Sequence, residues 1–480
     1  MTKKITIDPV TRVEGHGKVT IHLDENNKIK ESRFHIVEFR GFERFVKGRP
    51  YWEIPVLVQR LCGICPVSHH LAAAKAMDMI VGANSLTPTA DKMRRLMHYG
   101  QILQSHALHF FYLASPDLLF GYEANVEKRN VVAVAMENKE LALQGINMRK
   151  FGQEIIKITA GKKIHGTGAI PGGINKNLTT EERDFFLKGE ENMNVEQIIK
   201  WARGALDFFK NYHSKHKKFI DDFAYFPSNH LSLVTEDGAF DPYHGVLRAV
   251  DSEGNIIFDK VDSTDYYKYM GEQVKNWSYM KFPFILSIGK ETGWYRVGPL
   301  ARINTCDFMP SPLAQKELEE FRSYNDSKPS NSSMHMHWAR LIEILHCAEM
   351  VQKLLNDKDL EGTDLVKKGN KQEEGIGLLE APRGTLFHHY KVNENDLISM
   401  ANLIVATTNN NEPMNKAVNY AAKELMNKQK EITEEMMNGV EVAIRAYDPC
   451  LSCATHALGQ MPLKISLYDS NNKLINQKIT

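Results

Sequence analysis

Two Cys-x-x-Cys motifs, one near each end, constrain this chain more than any other feature. RLCGICPVSHH carries Cys62 and Cys65 with His69 just beyond, and DPCLSCATH carries Cys450 and Cys453 with His456 just beyond. A metal held by all four must draw both ends of a 480-residue chain to one point. Thiolates are soft, anionic donors suited to nickel, iron, zinc or an iron–sulfur cluster. Spacing alone does not choose among these. Zinc ribbons place their pairs within a few tens of residues, and a chain this long builds a core without a zinc knot. A metal joining distant ends therefore points to chemistry, with structural zinc the standing rival. A redox disulfide at one pair also stays open, although neither pair has a thioredoxin-like strand–helix setting.

Composition removes other classes. Hydrophobic residues make up 42% and charged residues 25%, with a mean hydropathy of −0.38, an ordinary globular balance. A formal charge of +1 gives no field for nucleic acid or an anionic membrane. The run Lys215, His216, Lys217, Lys218 reads as a solvated face. No stretch approaches the ~18 apolar residues of a membrane span. The N-terminus lacks the apolar segment of a secretory signal. Six cysteines are too sparse for a disulfide scaffold. These features predict a cytoplasmic protein with no membrane span.

Along the chain, KVTIHLD and SRFHIVEF predict a hairpin around DENNK. The pattern turns helical from about Pro55 to Asp78, interrupted by Gly63 and Pro66. A long helix is expected from Thr89 to about Leu113, ended by Ser115 and Pro116. HGTGAIPGGIN lacks the GxGxxG spacing of a dinucleotide site and reads as a structural loop. Two helical segments before residue 232 lead to a second hairpin around SEGN. Helices are expected again at Pro312 to Tyr324, Ser332 to Asn356 and Glu412 to Gln429, with loop through KKGNKQEE. No repeat or linker cuts the chain. The expected class is α+β, helix-rich, with small peripheral sheets and hairpins.

At its cysteine motifs the sequence resembles the large, catalytic subunit of nickel–iron hydrogenases, which carries RxCGxCxxxH and DPCxxCxxH. Supporting segments match in order: DPVTRVEGH (Asp8 to His16), FRGFE (Phe39 to Glu43) and APRGT (Ala381 to Thr385). YRVGPLARIN, HWARLIE and AYDPCLSCATH look most like the cytoplasmic methyl-viologen-reducing branch of methanogens, which works with heterodisulfide reductase. The resemblance spans nearly the whole chain. It implies one large-subunit domain over 1–480 and reversible oxidation of dihydrogen.

By that resemblance all four cysteines bind nickel, with Cys65 and Cys453 bridging to an iron that carries carbon monoxide and cyanide. Glu14 matches the glutamate that collects a proton from Cys450. Arg383 matches the arginine over the open metal position, where fixed charge can polarise dihydrogen. Pro382 and Thr407 match positions beside the cyanides, with Ala406 a departure from the proline common there. His69 is expected to donate near a bridging thiolate, and Asp448 to order Arg383 or cap a turn. Ser105 stands where some relatives have aspartate. Glu43, the Leu403 carbonyl and His456 match a second, hard-metal site that suits magnesium.

Cys306 and Cys347 match no motif and read as small buried thiols. Two cysteines cannot supply the usual four ligands of an iron–sulfur cluster. Such clusters therefore belong to partners: an iron–sulfur small subunit, then heterodisulfide reductase with its electron-transfer subunit. The tail past His456 (457–480) predicts a hairpin around SNN. In the family a maturation endopeptidase commonly removes such a segment. Two other functions compete. A nickel-free, hydrogenase-like redox-coupling subunit of a respiratory complex would lose cysteine ligands, whereas all four stand here. A zinc-stabilised scaffold would keep them without turnover.

Overall fold

The computed structural model describes residues 4–26, 28–83, 85–427, 429, 431–455, 464–468 and 474–479. Its centre is the Met336–Leu355 helix, buried around almost its whole circumference, as expected for a helix surrounded by others. Helices Pro88–Leu108, Val195–Lys215 and Pro312–Tyr324 pack on it. Their sequences explain their limits. Thr87 accepts a hydrogen bond from the Ala90 amide at 3.2 Å and Pro88 opens the first turn. In Val195–Lys215 the buried Ile198, Ala202, Ala205, Leu206, Phe209 and His213 recur every three or four residues.

Pro88–Leu108 does not stop at Ser115 and Pro116 as the sequence predicts. It widens into a π-helical stretch, His109–Ala114, and continues as Ser115–Phe120. The wider turn accommodates Pro116 at a helix start, where its missing N–H costs nothing.

Three antiparallel strands, Lys4–Ile7, Gly17–Leu23 and Ile29–Ile36, form the N-terminal sheet. The expected hairpin is thus there, with an added strand. The SEGN hairpin is Val246–Val250 with Ile256–Val261, in a sheet completed by Asn229–Val234 and Tyr295–Arg296. A third sheet, Glu374–Ala381, Gly384–Val392 and Ile398–Ile404, follows KKGNKQEE. No sequence expectation covered it. These last two sheets share a small core of Leu231, Leu233, Phe258, Ile376, Phe387 and Ile404.

The Pro66–Ile80 helix lies directly on Glu374–Ala381. A Cβ at Gly375 or Gly377 would collide with the carbonyl oxygens of Ala76 and Ala72. Small residues on both partners therefore set the approach, and fix the helix start at Cys65 beneath the turn at Pro382 and Arg383. Lys464–Tyr468 and Leu474–Ile479 pair as the expected tail hairpin. Among the described residues no helix is long and apolar enough to cross a membrane.

Candidate metal centre

Cys62 ends a short 3-10 turn, Val58–Leu61, and Cys65 precedes the Pro66–Ile80 helix. The tight reversal between them aims the Ile64 and Cys65 amides at the Cys62 sulfur, at 3.3 and 3.1 Å. The second pair arrives after the Glu434–Arg445 helix, on a turn where Asp448 adopts a positive φ of 52°. Cys62 Sγ and Cys450 Sγ lie 3.2 Å apart. The four sulfurs all fall within 4.8 Å of one another, and all four residues are buried.

Burial pushes the Cys450 and Cys453 thiols well up, whereas the surrounding thiols of Cys450, Cys453 and Cys62 pull Cys65 well down. The physical sense is that hydrogen bonds from its neighbours steady the Cys65 thiolate; ionising Cys450 and Cys453 needs nearby positive charge. Four convergent soft donors in a dry pocket fit a thiophilic cation.

The N-terminal arm closes one side. Glu14 and Cys450 form a parallel bridge, and the Leu451 amide donates to the Glu14 carbonyl at 3.0 Å. Gly15 has a φ of +82°, and a Cβ there would meet the Ser452 amide at 2.7 Å, so only glycine lets the strands come this near. Glu14 Oε2 receives the Cys450 thiol at 2.9 Å and the Ser452 amide at 3.2 Å, while the Ser452 hydroxyl donates to Oε1. Arg12 does not pair with Glu14. It reaches Asp117 and the Leu113 carbonyl.

Pro382 and Arg383 close the other side as the two-residue turn between Ala381 and Gly384. Arg383 Nη2 donates to Asp448 Oδ1 at 2.9 Å and Nη1 to Ser105 Oγ at 3.3 Å. Desolvation works against its charge, but Asp448 and the cysteines hold the guanidinium firmly protonated. Thr407, at the start of Ala406–Asn409, accepts from the Cys450 amide at 3.0 Å. His69 bonds to Cys65, and its Nδ1 lies 3.1 Å from His388 Nε2. Glu43 accepts from the Leu403 amide at 2.9 Å, and burial raises its pKa. His456 lies outside the described residues. Cys306 and Cys347 are buried apart from the cluster, and burial raises both thiols, Cys306 to about 11.

Several groups behind the site had no sequence signal of their own. Arg302 donates to Glu343 at 2.6 Å and to Glu380 at 2.9 Å, and also holds the Ala381 and Pro382 carbonyls. His106 bonds Glu343 at 2.7 Å. Arg302 stands in YRVGPLARIN and Glu343 in HWARLIE, but nothing in either segment says that they meet. Ser452 sits inside the second cysteine motif, where only its place between two ligands could have drawn notice.

A family model described as nickel-dependent hydrogenase matches residues 40–130 and 231–456. The chain belongs to this family. A second model, described as HoxL-like, matches residues 4–39 of this hydrogenase. The chain is 50% identical to the NAD-reducing hydrogenase HoxS subunit beta of Cupriavidus necator, over 100% of both chains. It is 43% identical to a subunit of the F420-non-reducing hydrogenase vhc of Methanococcus voltae, over 97% of each. The resemblance to methanogen enzymes is thus borne out, beside an NAD-reducing relative. Among solved structures, an NAD+-reducing [NiFe]-hydrogenase in the H2-reduced state is 53% identical, with a TM-score of 0.92 over 95% of this chain and 100% of its own. This hydrogenase chain is accordingly a catalytic subunit, an oxidoreductase acting on dihydrogen. Its relatives are themselves named as subunits of larger assemblies.

Proposed function

We propose that Cys62, Cys65, Cys450 and Cys453 together hold nickel, and that Cys65 and Cys453 also hold an iron with carbon monoxide and cyanide ligands. The observation that carries this reading is the convergence of four sulfurs with one carboxylate, Glu14, 2.9 Å from the Cys450 sulfur. When bound, the two metals would supply a soft redox centre for heterolytic cleavage of dihydrogen. Cys450 takes up the proton at Sγ and passes it to Glu14 Oε2. Glu14 can then rotate or relay through the Ser452 hydroxyl at its other oxygen. Arg383 presents fixed positive charge, and Asp448 keeps its planar group in place. The Thr407 oxygen is engaged by the Cys450 amide, which leaves its own hydrogen to donate, and Thr407 and Pro382 would be the residues that steady the iron's ligands. His69 steadies the Cys65 sulfur.

Glu43, the Leu403 carbonyl and His456 form the magnesium site in this reading. A carboxylate whose pKa is raised by burial is one that a cation would stabilise. Electrons leave through iron–sulfur clusters of a small subunit, because Cys306 and Cys347 stand outside the four-cysteine cluster and two thiols cannot supply a cluster's four ligands. Beyond it, the resemblance of YRVGPLARIN and HWARLIE to the methyl-viologen-reducing branch points to heterodisulfide reductase with its electron-transfer subunit, whereas the relative named as NAD-reducing favours a nicotinamide-reducing module. Reduction of NAD+ by the purified complex under dihydrogen would select the second. We place the complex in the cytoplasm and read 1–480 as one domain, with 457–480 removed after His456 by a maturation endopeptidase. The family match ending at residue 456 supports that boundary. Intact mass of the nickel-loaded chain tests it, and a fully active chain of full-length mass would refute it. Infrared bands of metal-bound carbon monoxide and cyanide, with nickel and iron analysis, test the centre itself. Zinc alone, without those bands, would overturn it.

A further inference from the structure

Among the described residues, one other group of side chains converges as metal ligands do: His213, Asp221 and His335. His213 lies in the last turn of Val195–Lys215, Asp221 in the short Lys217–Asp222 helix, and His335 at the entry to Met336–Leu355. Three separate elements thus deliver one donor each. We propose that these residues form a second transition-metal site, distinct from the cysteine centre, for a divalent ion such as zinc or iron(II).

The donor set, two histidines and one carboxylate, is that of a facial triad. His213 Nε2 and His335 Nε2 both point at Asp221 Oδ1, from 2.7 and 3.0 Å. Three donors on one face of an octahedron with bonds of ~2.1 Å would lie about 3.0 Å from one another. Both distances to Asp221 match that edge, and the two histidine nitrogens, within 4.8 Å of each other, would close on the ion by side-chain rotation. Two histidines and one carboxylate favour zinc or iron(II) over magnesium or calcium, which take oxygen donors.

Each ligand is also held from behind, as metal ligands are. The Tyr324 hydroxyl donates to Asp221 Oδ2 at 2.6 Å, which leaves Oδ1 for the ion. Ser330 Oγ lies 2.7 Å from His335 Nδ1; when that nitrogen donates to the serine, Nε2 carries the free lone pair. Trp338 packs edge-on against both imidazoles, and both histidines are buried. Asp221 and His335 reach a cavity shared with Ser330, Asn331, Asp222 and Glu253, which gives the remaining coordination positions access to water. A metal here would clamp the end of one long helix to the start of the central one.

Zinc is the probe, and the nickel-loaded enzyme is the material, so that the cysteines do not compete for it. After treatment with a chelator, the enzyme is titrated with zinc chloride, and bound metal per chain and the thermal midpoint are measured. The wild type should take up one zinc and melt higher. Asp221→Asn and His335→Gln should take up none while keeping their nickel. Tyr324→Phe, which leaves the ligands in place, should weaken uptake by about 10- to 100-fold. Equal uptake by the wild type and all three variants, or none by a nickel-replete wild type, would overturn the proposal and leave a hydrogen-bonded cluster. Should a ligand variant lose nickel through misfolding, Tyr324→Phe decides alone. These readouts count zinc outside the cysteine centre, so they can fail while the hydrogenase reading stands.

Discussion

Two ionisable groups beside the four sulfurs, Arg383 and Glu14, are built in opposite ways. Arg383 is 3% exposed, bonded to Asp448 and Ser105, and the turn that carries it is gripped by the buried Arg302–Glu343–Glu380 network. Glu14 is half-buried, on an arm joined to the site by one β-bridge, and its partners are a thiol, a hydroxyl and an amide. A charge that only has to be present gains from immobility, because a preorganised dipole costs nothing to reorient during reaction. A proton carrier needs exchangeable partners and a way out. The site therefore has a rigid side and a permissive side.

The largest effect should come from removing what both sides share. Cys65→Ser replaces a soft thiolate by a hard hydroxyl and should abolish nickel binding and activity together, as metal analysis and hydrogen uptake would record. The next experiment separates the sides. Glu14→Gln should slow turnover by about 10²- to 10⁴-fold with nickel retained, and should raise the solvent isotope effect. Arg383→Lys, which loses the planar fork, should slow turnover without changing that isotope effect. If the two variants share one isotope signature, the distinction between fixed charge and proton carrier collapses.

The rigid side can then be loosened from behind. Arg302→Met leaves Glu343 and Glu380 buried without their cation, and should destabilise the fold by about 3–5 kcal/mol in denaturant titration. A smaller, pH-dependent effect belongs to Glu343. Burial pushes its carboxyl up, but Arg302 and His106 outweigh this and hold it at about 2, against an ordinary 4.5. A depressed carboxyl stabilises the fold fully above its unfolded value and loses that contribution as acid approaches its folded one. Between pH 4.5 and 2 the wild type should therefore lose stability more steeply than Glu343→Gln. Smallest of all, Cys306→Ala, outside the four-cysteine cluster, should cost less than about 1.5 kcal/mol and leave turnover unchanged.

The permissive side was the more legible in the sequence. Cysteine spacing marked the four sulfurs, and the RVEGH segment marked Glu14 through a family resemblance. Alternation also located the hairpins at residues 17–36 and 246–261. The rigid side was legible only at its tip, Arg383. Its support is made of single charges on three elements, Arg302, Glu343 and Glu380, and a lone charge in a helix or strand carries no pattern that names its partner. The sheet from Glu374 to Ile404 escaped for a related reason. Its first two strands are buried on both faces, so GIGLLEA and GTLFHHY lack the alternation that announces a half-exposed strand.

The bridge between Glu14 and Cys450 has a further consequence in time. The bonded atoms are 436 residues apart, so the pocket cannot exist while the ribosome still holds the second cysteine pair. At about 5–20 residues per second, synthesis of the intervening chain takes tens of seconds, during which Cys62 and Cys65 stand without their partners. A metal held by all four sulfurs, as proposed, could therefore be seated only after translation, by topology alone.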